Sequence, residues 1–101
     1  MEAAIFKALG DPVRLKIVKR LSDGSEYTMG SLTSDLGISR QGARKQVQVL
    51  VSAKILRVHP IGRETKVTLN VSTLELCKRF ITTLEHQWDA RLKALKEVSE
   101  K

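Results

Sequence analysis

The sequence predicts a mainly helical protein that carries a small β-hairpin and ends in a long helix. Three observations lead to this fold class. Apolar residues recur every three or four positions through the first half of the chain, in segments bounded by capping residues and glycines. After Ala53 the apolar period falls to two, and from Ser72 onward it returns to three and four. Helices, a hairpin and a closing helix in this order predict a winged helix-turn-helix.

The size and composition of the chain fit one small domain. It has 101 residues, of which 42% are hydrophobic, enough for one modest core. No apolar run approaches the roughly 18 residues that a membrane-spanning helix requires. The N-terminal segment is too acidic, and is broken too early at Gly10, to be expected as a signal peptide. With Cys77 as its one cysteine, the chain is expected in the reducing cytoplasm.

The net charge of +7 is concentrated in one quarter of the sequence. Residues 1–39 carry five basic and five acidic residues, whereas residues 40–66 carry seven basic residues against Glu64 alone. A charge that served only solubility would be spread out, so this concentration indicates a surface that faces a polyanion. The seven basic residues are Arg40, Arg44, Lys45, Lys54, Arg57, Arg63 and Lys66.

Two helices are predicted before residue 22. The first, Ala3–Leu9, is ended by Gly10. Asp11 then provides an N-cap, and Pro12 takes the first helical position, where its missing N–H costs nothing. The second helix is expected to have a broad buried face made of Val13, Leu15, Ile17, Val18 and Leu21.

A short helix and a longer one follow, and only a tight turn separates them. Thr28 is a suitable N-cap for the short helix, and Gly37 is suited to end it in the left-handed conformation. Ser39 is placed to cap the longer helix, which extends to Ala53. Two helices joined through a glycine-containing turn predict a helix-turn-helix unit.

The helix from Ser39 to Ala53 is the segment that most needs a functional explanation. Ala43, Val47 and Leu50 form one apolar stripe, and the opposite stripe contains no acid. Guanidinium, ammonium and amide groups contact phosphates and the major-groove edges of guanine and adenine. Taken alone, such a face is more typical of a solvated surface helix, but the concentration of charge favours nucleic acid. The polar stripe consists of Arg40, Gln41, Arg44, Lys45 and Gln48.

The period-two segment predicts a hairpin with one apolar and one basic face. Leu56 and Val58 alternate with polar residues, and so do Val67 and Leu69. The glycine-bearing turn between them presents Arg63 at its tip. A lone hairpin is barely stable in water, so its apolar face is expected to pack on the helices.

The last helix carries a narrow apolar seam along most of its length. A helix of roughly 25 residues is about 37 Å long, which is more than a core of this size covers. A seam without a partner in the same chain predicts a dimerisation element. We therefore expect one domain over residues 1–101, with residues 1–70 binding DNA and residues 71–101 dimerising. The expected dimer contacts are Ile81, Leu84, Trp88, Leu92 and Leu95.

Three stretches resemble the ArsR-type family of bacterial winged-helix transcription regulators: ALGDPVRLKIVKRL, LGISRQGARKQVQVLVSAKIL and RVHPIGRETKVTL. The resemblance extends over residues 3–70, and the closing helix with its tryptophan is similar to the dimerisation helix of that family. It implies a homodimeric repressor that binds a near-palindromic operator in double-stranded DNA and releases it on an unknown signal. The DNA-binding residues expected from pattern and resemblance together are Ser39, Arg40, Gln41, Arg44, Lys45, Gln48, Arg63 and Lys66.

Two residues depart from the family pattern. Gln46 stands where many members have histidine. Gly42 lies inside the recognition helix, at a cost of about 1 kcal/mol relative to alanine. It either permits a close approach to the DNA backbone or only weakens the helix.

No metal, cofactor or enzymatic activity is expected. The third helix contains neither cysteine nor histidine. Cys77 and His86 are nine residues apart, about 13 Å along a helix, so they are too far apart to share a site within one chain. No nucleophile–base pair and no glycine-rich phosphate loop is present.

Two alternatives to a sequence-specific repressor remain. One is a winged-helix module that docks an acidic protein, and the other is a nonspecific DNA-binding protein. The segregated charge favours nucleic acid over protein. Gln41 and Gln48, which accompany the arginines, favour base recognition over phosphate contacts alone.

Overall fold

Five helices and three strands make up residues 2–99, the part of the chain that the computed structural model describes. The predicted domain also includes residues 1, 100 and 101, which lie outside the described residues. The prediction of a mainly helical fold with a small hairpin is confirmed, and a third strand joins the hairpin. The helices are α1 Glu2–Leu9, α2 Pro12–Leu21, α3 Met29–Thr33, α4 Arg40–Ser52 and α5 Val71–Ser99, and the strands are β1 Tyr27–Thr28, β2 Leu56–Ile61 and β3 Glu64–Leu69.

Helix α2 begins and ends where the sequence predicts, but its buried face is narrower. Asp11 Oδ2 accepts hydrogen bonds from the backbone N–H groups of Val13 (2.9 Å) and Arg14 (3.1 Å), so it caps the helix. Ile17 is fully buried. The prediction that Leu15 is buried is wrong, since 43% of its surface is exposed. Two residues turn a helix by about 200°, so Leu15 and Ile17 lie on nearly opposite sides.

Helix α3 starts at its predicted cap and is shorter than predicted. Thr28 Oγ1 accepts from Ser31 N (3.1 Å), while Ser31 Oγ accepts from Thr28 N (3.0 Å), which makes a capping box. The prediction that Gly37 ends this helix is wrong, because the helix ends at Thr33. Gly37 is left-handed (φ 75°), but it lies within a longer connection, residues 34–39.

A tertiary hydrogen bond explains the early end of α3. Arg20 Nη1, on α2, donates to the carbonyl oxygens of Leu32 (2.8 Å) and Ser34 (2.6 Å). In a continued helix the Leu32 carbonyl would accept from the N–H four residues later. The guanidinium of Arg20 takes that place and puts a positive charge at the negative end of the helix dipole.

The three strands form an antiparallel sheet in the order β1-β3-β2. In the hairpin Leu56 pairs with Leu69 and Ile61 with Glu64, so residues 62 and 63 make a two-residue turn. Pro60 lies within β2 and lacks an N–H to donate, which is tolerated because β2 is an edge strand.

One core joins the helices to the sheet and to the start of α5. The polar sides of β2 and β3 stay outside, while one residue of each hairpin strand is fully or almost fully buried. Leu56 and Val67 therefore pack on the helices as predicted. The prediction is wrong for Val58, which is 38% exposed because β2 leaves the core after Leu56. The core residues are Ile5, Ala8, Ile17, Leu21, Leu32, Leu36, Ala43, Val47, Leu50, Ile55, Leu56, Val67 and Cys77.

Helix α5 extends far beyond the core. Its 29 residues span about 43 Å. Thr73 and Cys77 are buried, and Phe80 packs against Phe6 of α1 with ring centroids 5.8 Å apart, whereas every residue from 78 to 99 is exposed. The chain is therefore elongated, with principal extents of 68 × 25 × 23 Å. Within residues 2–99, no helix combines the length and apolarity needed to cross a membrane.

Candidate nucleic-acid interface

Helix α4 is anchored through one narrow stripe. Ala43, Val47 and Leu50 are buried in the core, as predicted. At the N-terminus Ser39 Oγ accepts from Gly42 N (3.0 Å), so Ser39 is the N-cap. Because the buried stripe is narrow, the remaining circumference of α4 is left for other contacts.

The C-terminus of α4 is fixed without a glycine. Lys54 adopts the left-handed conformation (φ 63°), and its N–H donates to Val51 O (2.9 Å). Ile55 N donates to Leu50 O (2.9 Å), which completes a Schellman motif. Ile55 is fully buried in the core, and its burial holds the chain in this turn. Both ends of α4 are therefore fixed to the protein body.

The exposed face of α4 carries polar groups that have no partners within residues 2–99. All five residues of the predicted polar stripe are exposed, and α4 contains no acidic residue. Among the described residues none of these five side chains makes a hydrogen bond or an ion pair. The donors and acceptors are thus available to an external ligand. The five are Arg40, Gln41, Arg44, Lys45 and Gln48.

Arg44 lies at the centre of this face. It lines a groove on the α3 side together with Arg40, and a second groove on the hairpin side together with Gln48 and Val58. One guanidinium therefore borders both channels that flank the helix. A side chain in this position can contact a base edge or a phosphate on either side of α4.

The hairpin presents a cation at its tip. Gly62 is left-handed (φ 62°), as a two-residue hairpin turn requires, and Arg63 follows it. Arg63 is exposed and forms no ion pair among the described residues. Its predicted position at the tip is confirmed.

Lys66 differs from the other predicted DNA-binding cations because it has a partner within the chain. Its Nζ lies 2.8 Å from Glu26 Oε2, in the segment leading to β1. The hydrogen bond to the Lys66 ammonium lowers the pKa of the Glu26 carboxyl, and the same bond raises the pKa of Lys66. A phosphate at Lys66 would compete with this carboxylate. The pair could not be predicted from the sequence, because its members are forty residues apart.

A contact within the chain gives a steric explanation for glycine at position 42. A Cβ atom at this position would lie 3.1 Å from Ser39 Oγ, closer than an ordinary contact. The same oxygen accepts the Gly42 N–H. The glycine therefore leaves room for the capping hydroxyl that starts α4.

Gln46 is joined to a network that the sequence did not reveal. Its Oε1 accepts from Arg14 Nη1 (2.7 Å), and the same guanidinium donates to the carbonyls of Ala8 and Lys7 at the end of α1. Arg14 thus connects α1, α2 and α4. The helical spacing did indicate that Gln46 is partly buried, since it lies three residues after Ala43 and so at the edge of the buried stripe.

No metal-binding cluster forms among the side chains of residues 2–99. Within the described part of the chain, no three histidine, cysteine or acidic side chains are grouped so that they could hold an ion. Cys77 is buried against α1, and burial raises the pKa of its thiol. Its place is in the core.

A helix-turn-helix whose second helix exposes unpaired cations and amides, next to a hairpin with a cation at its tip, defines a winged helix-turn-helix DNA-binding protein. Comparisons with known proteins agree. A family described as a helix-turn-helix domain matches residues 9–59. The chain is 30% identical over 71 residues to the transcriptional repressor SdpR of Bacillus subtilis (strain 168), covering 70% of this chain and 78% of that protein.

Two further proteins are similar. The uncharacterized HTH-type transcriptional regulator YuzN of Bacillus subtilis (strain 168) is 36% identical over 78 residues, which covers 71% of this chain and 85% of that protein. The solved structure of an ArsR-like transcriptional regulator from Rhodococcus sp. RHA1 superposes with a TM-score of 0.81 at 28% identity, over 96% of this chain and 91% of that one. The chain belongs to the ArsR-type family of winged helix-turn-helix regulators. It is a DNA-binding transcriptional regulator.

A double-mutant cycle tests the relation between Gly42 and Ser39. In a Ser39→Ala background, Gly42→Ala is expected to raise the free energy of unfolding by about 1 kcal/mol, because alanine is the better helix former. In the unaltered chain the gain is expected to be less than half of that, because the new Cβ crowds the capping hydroxyl, which must move by a few tenths of an ångström. Urea denaturation of the four proteins measures both gains. Equal gains in the two backgrounds would contradict the steric explanation.

Proposed function

We propose that this protein is a homodimeric repressor that inserts α4 of each subunit into successive major grooves of a near-palindromic operator. The observation that carries the proposal is the exposed face of α4, whose cations and amides have no partners among the described residues. In this proposal residues 1–70 bind DNA and residues 71–101 dimerise.

The polar residues of α4 divide into two roles. Arg40 and Lys45 flank the exposed face and are suited to phosphates, which fix the register of the protein on the duplex. Arg44, with Gln41 and Gln48 on the same face, is suited to base edges, because arginine pairs with guanine and glutamine with adenine in the major groove. Ser39 acts through its cap, since its hydroxyl fixes the first turn of the helix that carries these groups.

The hairpin supplies the contact outside the major groove. Arg63 at the tip is free to reach a flanking phosphate or the minor groove. Lys66 contributes more weakly, because its ammonium is shared with Glu26 and a phosphate must displace that carboxylate.

The seam of α5 supplies the dimer interface. Large apolar side chains stand at spacings of three and four on a helix segment that nothing in the described chain covers, and 61% of the surface of Trp88 is exposed. Burial of such a seam against a second copy removes apolar surface from water and fixes the distance between the two α4 helices. The residues proposed for the interface are Ile81, Leu84, Trp88, Leu92 and Leu95.

Selection of bound duplexes from a random DNA pool tests the proposal. At physiological salt, where nonspecific phosphate binding is weakened, enrichment of an inverted repeat with half-sites about 34 Å apart is expected. Binding without enrichment, which only fades as salt rises, would contradict a sequence-specific repressor and favour nonspecific DNA binding. Absence of DNA binding would favour a module that docks an acidic protein.

Replacing Arg44 tests base recognition. Arg44→Ala is expected to cost about 1–3 kcal/mol in affinity for the selected operator and to relax the preference at one base position, because a bidentate contact is lost. Arg79→Ala is the matched control, since Arg79 is an exposed arginine on α5 far from the DNA-facing surface. Fluorescence anisotropy with the operator and single-base variants measures both. Uniform weakening on all sequences would make Arg44 a phosphate contact instead.

Replacing Trp88 tests the dimer. Trp88→Asp is expected to yield monomers, because it puts a carboxylate in the middle of the apolar seam. His86→Asp adds the same group two residues away, on the other side of α5, and is expected to remain dimeric. Sedimentation equilibrium measures the two masses. An unchanged dimer mass for Trp88→Asp would remove this part of α5 from the interface.

A further inference from the structure

A groove of about 430 Å³ lies between α1 and α4 on the flank of the molecule. Its floor is mainly apolar, formed by Ala4 and Ala8 of α1, Val49 of α4 and the α4 C-cap Ala53, with Ser52 beside them. Val49 is 41% exposed although it is a large aliphatic residue, so the groove leaves apolar surface open to water. The volume falls in the range of small-molecule sites.

Two cations border this apolar floor. Lys7 lies on α1, and Arg14 reaches the groove from α2. Within residues 2–99, neither side chain has a carboxylate at ion-pair distance. The guanidinium of Arg14 is half-buried, and its hydrogen-bond acceptors are the carbonyls of Ala8 and Lys7 and the amide of Gln46, all neutral. The positive charge at this end of the groove is therefore not balanced inside the described chain.

The groove is separate from the surfaces already described. On α1, Ala4, Lys7 and Ala8 share one stripe, whereas Phe6, which packs on α5, points to the opposite side of the helix. Val49 of α4 and the C-cap Ala53 lie between the buried stripe and the basic face. The groove thus belongs neither to the α5 seam nor to the DNA-facing surface.

We propose that this groove binds a small amphipathic anion, a carboxylate with a short hydrocarbon tail. The tail covers the alanine and valine floor, and the carboxylate pairs with the Lys7 ammonium and the Arg14 guanidinium. A neutral apolar molecule leaves the two cations unbalanced, and a simple inorganic anion leaves the floor exposed. The apolar floor and the two cations together favour a molecule that has both a hydrocarbon tail and an anionic group.

Occupancy of the groove acts on α4 through Arg14. The same guanidinium holds Gln46 of α4 and the end of α1, so a carboxylate that draws it into the groove competes with these bonds. This coupling rests on the proposed DNA-binding function, whereas the binding site itself does not.

Calorimetric titration of the full chain with octanoate, octanamide and inorganic phosphate tests the site. Octanoate is expected to bind with a dissociation constant of about 1 mM or tighter, a plausible affinity for a ligand of this size. Octanamide, which has the same tail without the charge, and phosphate, which has charge without a tail, are each expected to bind roughly fivefold more weakly or worse. Equal binding of octanoate and phosphate, or of octanoate and octanamide, would overturn the proposal, as would no binding of octanoate.

Variants locate the site. Lys7→Gln is expected to weaken octanoate roughly fivefold, and Val49→Trp, which fills the groove, is expected to abolish binding. Lys16→Gln, an exposed lysine of α2 outside the groove, is the matched control and leaves binding unchanged. Circular dichroism verifies that each variant is folded. Octanoate binding that survives both Lys7→Gln and Val49→Trp would place the ligand elsewhere and overturn the assignment.

Operator affinity with and without saturating octanoate tests the coupling separately. A fall in affinity that is absent in Val49→Trp is expected. Unchanged operator affinity in the presence of bound octanoate would overturn the coupling. If no specific operator exists, the proposed function fails, while the calorimetric result still decides the groove.

Discussion

The burial of one narrow apolar stripe of α4 is the constraint on which the rest of the structure depends. Ala43, Val47 and Leu50 place the helix against the core, and the Ser39 cap and the Schellman turn at Lys54 fix its two ends. Because the position and both ends of α4 are determined, its exposed polar face has a fixed orientation relative to the rest of the protein. Polar side chains on a helix held in this way are presented as a rigid set, which is what base recognition requires.

Hydrogen bonds within the chain distinguish the structural arginines from the polar residues that we propose contact DNA. Arg14 and Arg20 of α2 hold the ends of α1 and α3 through backbone carbonyls, and the first of them also holds Gln46. By contrast, the cations of α4 and the arginine at the hairpin tip have no partner among the described residues. Arginine thus has a structural role in α2, where it binds backbone carbonyls, and a proposed DNA-binding role in α4 and the hairpin, where it has no partner among the described residues.

Helix α5 has two parts, of which the first is packed in the core and the second is exposed. Its first three turns complete the core through Thr73 and Cys77 and pack on α1 through Phe80. Beyond residue 77 the apolar seam continues while burial stops. A continuous helix therefore links the core that positions α4 to the surface proposed to meet a second subunit. Helix α1 contacts α5 on one side and borders the α1–α4 groove on the other.

The sequence by itself determined the features that depend on neighbouring residues: the caps at Asp11, Thr28 and Ser39, the buried stripe of α4, and the glycine-bearing turn that puts Arg63 at the hairpin tip. These signals act within about one helical turn or one hairpin, so they can be read locally. Only the tertiary structure decided the early end of α3, the exposure of Leu15, the pairing of Lys66 with Glu26 and the link from Arg14 to Gln46. Each of these features depends on how distant parts of the chain pack together. Packing decides which groups come within hydrogen-bond distance and which side chains stay in water, and no local pattern of residues encodes that choice.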